Sequence, residues 1–168
     1  MNLTQFQRWA KTTAIYPDAN TGSGAEAMYL ALGLVGEIGE LITADHHALE
    51  NDLQIKQELG DIYWYVVRLA ESIGWNFSEP MEMSVETSGN KLVDWSAKLA
   101  NKVKKLYRDG NSEVLRSEIK EILSDMLDML DDWCDTYNFV LKDVLIENHH
   151  KLESRKTHGT LTGSGDNR

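Results

Sequence analysis

Four acidic side chains stand where an apolar sequence would not ordinarily carry them. Glu37 and Glu40 are three apart in GLVGEIGELI, and Glu58 and Asp61 are three apart in QELGDIYWYVVRL. Residues three apart on a helix share a face. Each pair therefore points one way out of a hydrophobic surround, which for the second includes Leu59, Ile62, Tyr63, Trp64, Tyr65, Val66 and Val67. Two consecutive helices joined by a short connection lie antiparallel, and the four carboxylates then converge. Like charges in a half-buried groove raise one another's pKa. A divalent cation removes that repulsion. With oxygen donors alone and no patterned His or Cys nearby, the cation is a hard one: Mg²⁺, or Mn²⁺ in its place. A single ExxE is common on solvated helix faces, whereas ExxE followed one helix later by ExxD, both in apolar context, is much rarer.

Gly33, Gly36 and Gly39 share the same spacing. Each costs about 1 kcal/mol relative to alanine inside a helix. The repeat therefore predicts a close approach by a neighbouring helix or a ligand along that side.

The elements that must hold these residues are helices. Leu59, Ile62, Val66, Leu69 and Ile73 keep the 3–4 rhythm of one helix face. So do Leu92, Trp95, Leu99, Val103 and Leu106, and again Leu115, Ile119, Ile122, Met126, Met129 and Trp133. The spacing predicts helices over 3–14, 26–48, 52–74, 90–108, 112–137 and 141–155, with turns at Asp18–Gly24, Gly74–Pro80 and Arg108–Ser112. No alternating strand pattern appears, and the two prolines, Pro17 and Pro80, leave room for long helices. The expected fold is an all-α helical bundle. Residues 1–156 read as one domain, and the small polar stretch 157–168 reads as a flexible tail.

Composition sets bounds. The 168 residues suffice for one domain with a core. The formal charge of −10 opposes binding to a nucleic-acid polymer, whose phosphates need a basic face. It permits a small anionic ligand if a cation stands between. No apolar run is expected to reach the roughly 20 residues that span a bilayer. The N-terminus lacks the apolar core of a signal peptide. One cysteine, Cys134, excludes an internal disulfide. Together these give the expectation of a cytoplasmic protein with no membrane partner.

The chain also admits an internal repeat. Laying QELGDIYWYV (57–66) on EILSDMLDML (121–130) puts Asp61 on Asp125 and Gly74 on Asn138. Laying GEIGEL (36–41) on DWSAKL (94–99) puts Glu37 and Glu40 on Trp95 and Lys98, while Glu58 meets Ile122. The degenerate halves would be about 26–80 and 90–144, the second having lost most of its acids.

The stretch from Tyr29 to Glu40, followed by Glu58-Leu-Gly-Asp-Ile-Tyr-Trp-Tyr65, resembles the MazG-like nucleoside triphosphate pyrophosphohydrolases. These belong to the all-α pyrophosphatase superfamily that includes the dimeric dUTPases. LTQFQRWAKTTAIYP (3–17) is similar to the family's first helix, and Asn148-His-His-Lys-Leu-Glu-Ser-Arg155 matches a late N-x-x-K-L-x-x-R motif. The ending from Gly159 looks like the tail of phage-type members.

The resemblance implies that Glu37, Glu40, Glu58 and Asp61 hold Mg²⁺ against a triphosphate and that one acid orients or deprotonates the attacking water. Products would be a nucleoside monophosphate and pyrophosphate. It also implies substrate contacts from Asn148, Lys151 and Arg155, a place for Gln7 and Trp9 near a base pocket, and a homodimer. One departure stands out: Asp45-His46-His47 occupies the place of the family's usual Lys-Lys pair. Lys104 and Lys105, in KLANKVKKLYRDGN, are the expected substitutes if the second half serves as the chain's own partner.

Three rivals remain at this level. A di-iron bundle needs two ExxH pairs, and only Glu147-x-x-His150 is present. A non-catalytic, nucleotide-binding or regulatory protein of the same fold would keep the helices without turnover. A plain interaction bundle would show no metal-linked response to nucleotides.

Overall fold

The structure, a computed structural model, describes residues 1–46, 52–77, 91–110 and 112–162. Among these residues six α-helices follow one another: α1 (Leu3–Ala10), α2 (Gly24–Asp45), α3 (Asp52–Ser72), α4 (Lys91–Asp109), α5 (Glu113–Thr136) and α6 (Leu141–Thr157). No strand occurs among the described residues. The fold is all-α, as the periodicity predicts, and each helix lies within a few residues of its expected span. Positions 47–48 and 90, the turn beyond Phe77 and the tail from 163 lie outside the described residues.

Local chemistry sets the ends. Asn2 caps α1 through a reciprocal pair: its side chain accepts from Gln5 N at 2.9 Å, and Gln5 Oε1 accepts from Asn2 N at 3.0 Å. A 3-10 turn over Lys11–Thr13 then replaces the expected last turn of that helix. Ser23 caps α2 and Ser112 caps α5.

Between α1 and α2 the chain makes a tight turn with Asp18, Asn20 and Gly22 all in the left-handed region, at φ 60, 65 and 66°. For the two non-glycine residues this backbone costs on the order of 1 kcal/mol each, so something outside the turn must hold it. Glu26, on the first turn of α2, does so by accepting from Asn20 N and Gly22 N, both at 2.8 Å.

α2 and α3 form an antiparallel hairpin. Glu37 lies beside Glu58, Gly33 beneath Tyr65 and Glu26 beside Arg68. α4 and α5 form a second hairpin, tied across by Lys102 and Glu118. The C-terminal end of α4 meets the start of α2, where Tyr107 lies against Gly24. The start of α5 meets the end of α3, where Arg116 donates to Ser72 O. α4 therefore runs parallel to α3. α6 packs across α3, and α1 closes the same side.

The predicted stripes supply the core. Leu30, Leu34, Ile38 and Leu41 of α2 face Leu59, Ile62, Val66 and Leu69 of α3 and Leu99, Val103, Ile119, Leu123 and Met126 of the second hairpin, all buried.

One expectation is corrected here. α2 is, by length and composition alone, apolar enough to cross a membrane. Its apolarity follows from its place between α3 and α4, which bury it on two sides. Its exposed positions are largely uncharged as well, with Tyr29, Leu32, Val35, Gly36 and Gly39 among them.

Candidate active site

The two hairpin helices bring three of the four acids together. Glu37, Glu40 and Glu58 each offer a carboxylate oxygen, and the three oxygens lie within 4.8 Å of one another. Glu58 is buried, Glu37 half-buried and Glu40 exposed, so the cluster opens toward solvent from a closed floor. Burial pushes the Glu37 carboxyl up to about 8, and the nearby charges of Asp61, Glu40 and Glu58 add to the rise against the opposing pull of Lys151. A carboxyl that would hold its proton near neutrality marks negative charge lacking enough positive charge to balance it. Three converging oxygen donors with that deficit fit a hard divalent cation.

Asp61 is engaged differently. Its Oδ1 accepts from Asn148 Nδ2 at 2.6 Å, and its Oδ2 forms an ion pair with Lys151. Both partners come from α6, which crosses α3 at Gly60. A Cβ at Gly60 would come within 2.9 Å of Asn148 Cβ, so the close crossing depends on that glycine. Asn148 is 3% exposed, and its Oδ1 has no hydrogen-bond partner among the described residues.

A cavity of about 570 Å³ extends from the acids. Glu37, Glu40 and Asp61 form one end, and Thr13, Ile15, Tyr16, Tyr29, Trp64 and Tyr65 form the other. Leu152 and Arg155 of α6 line a side, joined by Leu161 and Thr162. Tyr16 and Tyr29 stack with centroids 4.6 Å apart, and Trp64 meets Tyr16 edge-on at 6.2 Å. The Tyr65 ring passes directly over Gly33, where a Cβ would stand 2.2 Å from Cε1. Burial raises the Tyr65 hydroxyl's pKa, and the Glu37 charge raises it further.

The predicted residues divide accordingly. Glu37, Glu40 and Glu58 meet, Asp61 adjoins them, and Asn148, Lys151 and Arg155 arrive from α6. Gln7 does not line the cavity. Its Nε2 donates to Val67 O and Trp75 O at 3.2 and 2.9 Å, and its Oε1 accepts from Phe77 N at 3.2 Å. It is a buried pin between α1 and the end of α3. Trp9 donates to Glu153 Oε1 at 2.7 Å and packs on His149, away from the base-sized space.

Lys104 and Lys105 are exposed on α4 and do not line the cavity, and Lys104 donates to Asn101 on its own helix. The basic pair expected from the second hairpin is therefore not at the site. Asp45, standing where a lysine was expected, accepts from the Tyr137 hydroxyl and ties α2 to the end of α5. Glu147 of the lone ExxH pairs with Lys56.

The glycine repeat is only partly explained. Gly33 makes room for Tyr65, but a Cβ at Gly36 or Gly39 would meet nothing within 4 Å. The aromatic wall escaped the sequence reading. Tyr65 was within reach of it, four residues after Asp61 on the same helix face.

A model of the MazG nucleotide pyrophosphohydrolase domain matches residues 26–94, which contain all four acids. The Gene 37 protein of Mycobacterium phage L5 is 37% identical over 83 residues, a match covering 44% of this chain and 73% of that protein. The chain belongs to the MazG family. No solved structure matches it. The MazG match takes in α2, α3 and the start of α4. The α6 residues that reach Asp61 lie outside the matched part, and their roles rest on the geometry alone.

Proposed function

We propose that this MazG-family chain hydrolyses nucleoside triphosphates to a nucleoside monophosphate and pyrophosphate, with Mg²⁺ as cofactor. One observation carries the reading: three converging carboxylates at one end of a cavity whose other end is aromatic. The acidic end suits a cation–triphosphate assembly, and the aromatic end suits a base and sugar.

Glu37, Glu40 and Glu58 would hold the ion, with Asp61 beside them, and Mn²⁺ could substitute. When bound, the ion supplies positive charge against the triphosphate and makes a neighbouring water more acidic. Arg155 and Lys151, four apart on α6, meet phosphate oxygens. The buried Asn148 Oδ1 accepts from a substrate hydroxyl. One carboxylate of the cluster takes the proton of the attacking water. The water oxygen bonds to phosphorus as the α–β anhydride breaks, and pyrophosphate leaves.

The same reading includes a homodimer, supported by the exposed apolar Leu32 and Val35 on α2. It also takes 1–156 as one domain with degenerate halves near 26–80 and 90–144. Supporting this, Gly74 and Asn138, aligned by the repeat, both turn left-handed at φ 85 and 55°. Both turns also share one hydrogen-bond pattern: Trp75 N to Ala70 O at 2.8 Å, and Phe139 N to Cys134 O at 2.7 Å.

The test is pyrophosphate release from a panel of canonical and modified NTPs and dNTPs, with Mg²⁺ and with EDTA. Glu40→Gln and Asp61→Asn run alongside. Magnesium-dependent release lost in both variants is expected. No release from any nucleotide by well-folded protein would turn the reading to a nucleotide-binding, non-catalytic protein.

A further inference from the structure

Behind the aromatic end of the cavity lies a buried ion pair that does not line it. Glu26 and Arg68 are 0% and 1% exposed, and Arg68 Nη2 stands 3.0 Å from Glu26 Oε1. Both reach the cavity wall through one residue. Tyr16 donates its hydroxyl to Glu26 Oε1 at 2.9 Å and accepts from Arg68 Nη2 at 3.1 Å. The same guanidinium donates to Asn20 Oδ1 at 2.8 Å, and through Nη1 it pairs with Glu71. Glu26 also takes the two backbone donors of the left-handed turn that follows Tyr16. One ion pair therefore fixes the turn, the Tyr16 ring and, by stacking, the Tyr29 ring.

Stability alone does not account for this arrangement. A buried ion pair is often matched or bettered by apolar residues of the same volume. What an apolar pair cannot supply is a planar fork with fixed donor directions, which sets where a partner's hydroxyl and ring must stand.

We propose that Arg68 is a positioning residue for the nucleoside: with Glu26 it fixes Tyr16, and so the aromatic wall that receives the base. The inference rests on the nucleotide reading above. It separates two ends of one site. The carboxylates and α6 cations would serve the phosphates, and the Arg68–Glu26 pair would serve only the base and sugar.

The test uses two kinds of probe in calorimetric titrations with Mn²⁺ present: inorganic tripolyphosphate, and the α,β-methylene analogues of the four deoxynucleoside triphosphates. The wild-type protein is expected to bind its best analogue roughly tenfold or more tightly than tripolyphosphate, the scale of base–aromatic stacking. Arg68→Met should erase that margin while leaving tripolyphosphate affinity near the wild-type value. Arg68→Lys should restore part of it. Equal weakening of both probes would overturn the proposal, because a general loss of structure does not distinguish them. An undiminished margin in Arg68→Met would overturn it too.

Removing one member of a buried pair can prevent folding. In that event Tyr16→Phe carries the test, since it keeps the ring and deletes its link to the pair. A smaller, analogue-specific loss supports the proposal, and an unchanged margin sinks it. Wild-type protein that binds tripolyphosphate but no analogue more tightly refutes this inference alone. Wild-type protein that binds neither refutes the nucleotide reading as well.

Discussion

The α2–α3 and α4–α5 hairpins are built to one plan and bear very different loads. Each buries a 3–4 stripe against the other, and each ends in a left-handed turn of the same hydrogen-bond pattern. The first carries Glu37, Glu58 and Asp61 on buried or half-buried positions with Glu40 exposed beside them, and glycines at 33, 36, 39 and 60 within its helices. The second has Trp95, Lys98, Ile122 and Asp125 at the aligned positions and no glycine inside either helix. Its charges are spent on ordinary surface pairs such as Lys102–Glu118. Crowded carboxylates and helical glycines both lower stability. The first hairpin tolerates them because the second is a conventional, well-packed support.

The sharpest way to break this contrast is to neutralise matched acids. Asp61→Asn should lower magnesium-dependent pyrophosphate release by about ten- to a hundredfold, the scale seen when a metal ligand or its support is lost. Asp125→Asn, its counterpart experiment in the second hairpin, should leave release within about twofold, since Asp125 does not line the cavity. Comparable losses in a steady-state assay would show that the second hairpin also does chemistry.

Glycines give the next test. Gly33→Ala drives a methyl into the Tyr65 ring, which must swing into the cavity it lines. Nucleotide KM should rise about tenfold while the melting temperature falls by only a few degrees, because the ring's far end can move. Gly36→Ala has open space and a better helix former. It should stabilise the protein by up to about 1 kcal/mol in urea unfolding. A destabilised Gly36→Ala would reveal a neighbour at that face, such as a second copy of the chain.

The Glu37 carboxyl supplies a pH test. Its pKa is raised in the folded protein from 4.5 to about 8, so between those values the folded state binds more protons than the unfolded one. Stability is then greatest at the acid end and falls as pH rises through that window. In metal-free protein, the decline in melting temperature between pH 5.5 and 8 should be steeper for wild type than for Glu37→Gln. Saturating Mg²⁺ should shrink the difference. Parallel curves would mean that burial is not what governs this carboxyl. The smallest effect belongs to the second hairpin's surface: Lys102→Ala should cost no more than about 1 kcal/mol, because solvent screens the pair with Glu118.

Much of this was legible in the sequence because it is local. Helical rhythm and the two acidic pairs are written within a turn or two of chain. What escaped depends on chain segments far apart. Gln7 reads as a polar residue on an amphipathic helix, and only the fold shows its amide bonded to carbonyls 60 and 68 positions away. Arg68 sits in an apolar run with no nearby hint of Glu26. Tyr16 and Tyr29 become one wall only when the turn between them folds back. Lys104 and Lys105 fit the family's charge pattern by type, but their helix places them outward. A reading of residue types cannot see that rotation unless the stripe beside them is used to fix it. Here Val103 and Leu106, both buried, do so.

The crossing of α6 over Gly60 also has a consequence for the order of synthesis. A ribosome releases the acids of α2 and α3 early, and the lysine that pairs with Asp61 follows 90 residues later. Until the last helix emerges, the nascent chain has neither the acids' counter-charge nor the side of the cavity that Leu152 and Arg155 line. The pocket is completed last, so a polypeptide cut short between α5 and α6 would keep five of the six helices and lack the residues that pair with Asp61.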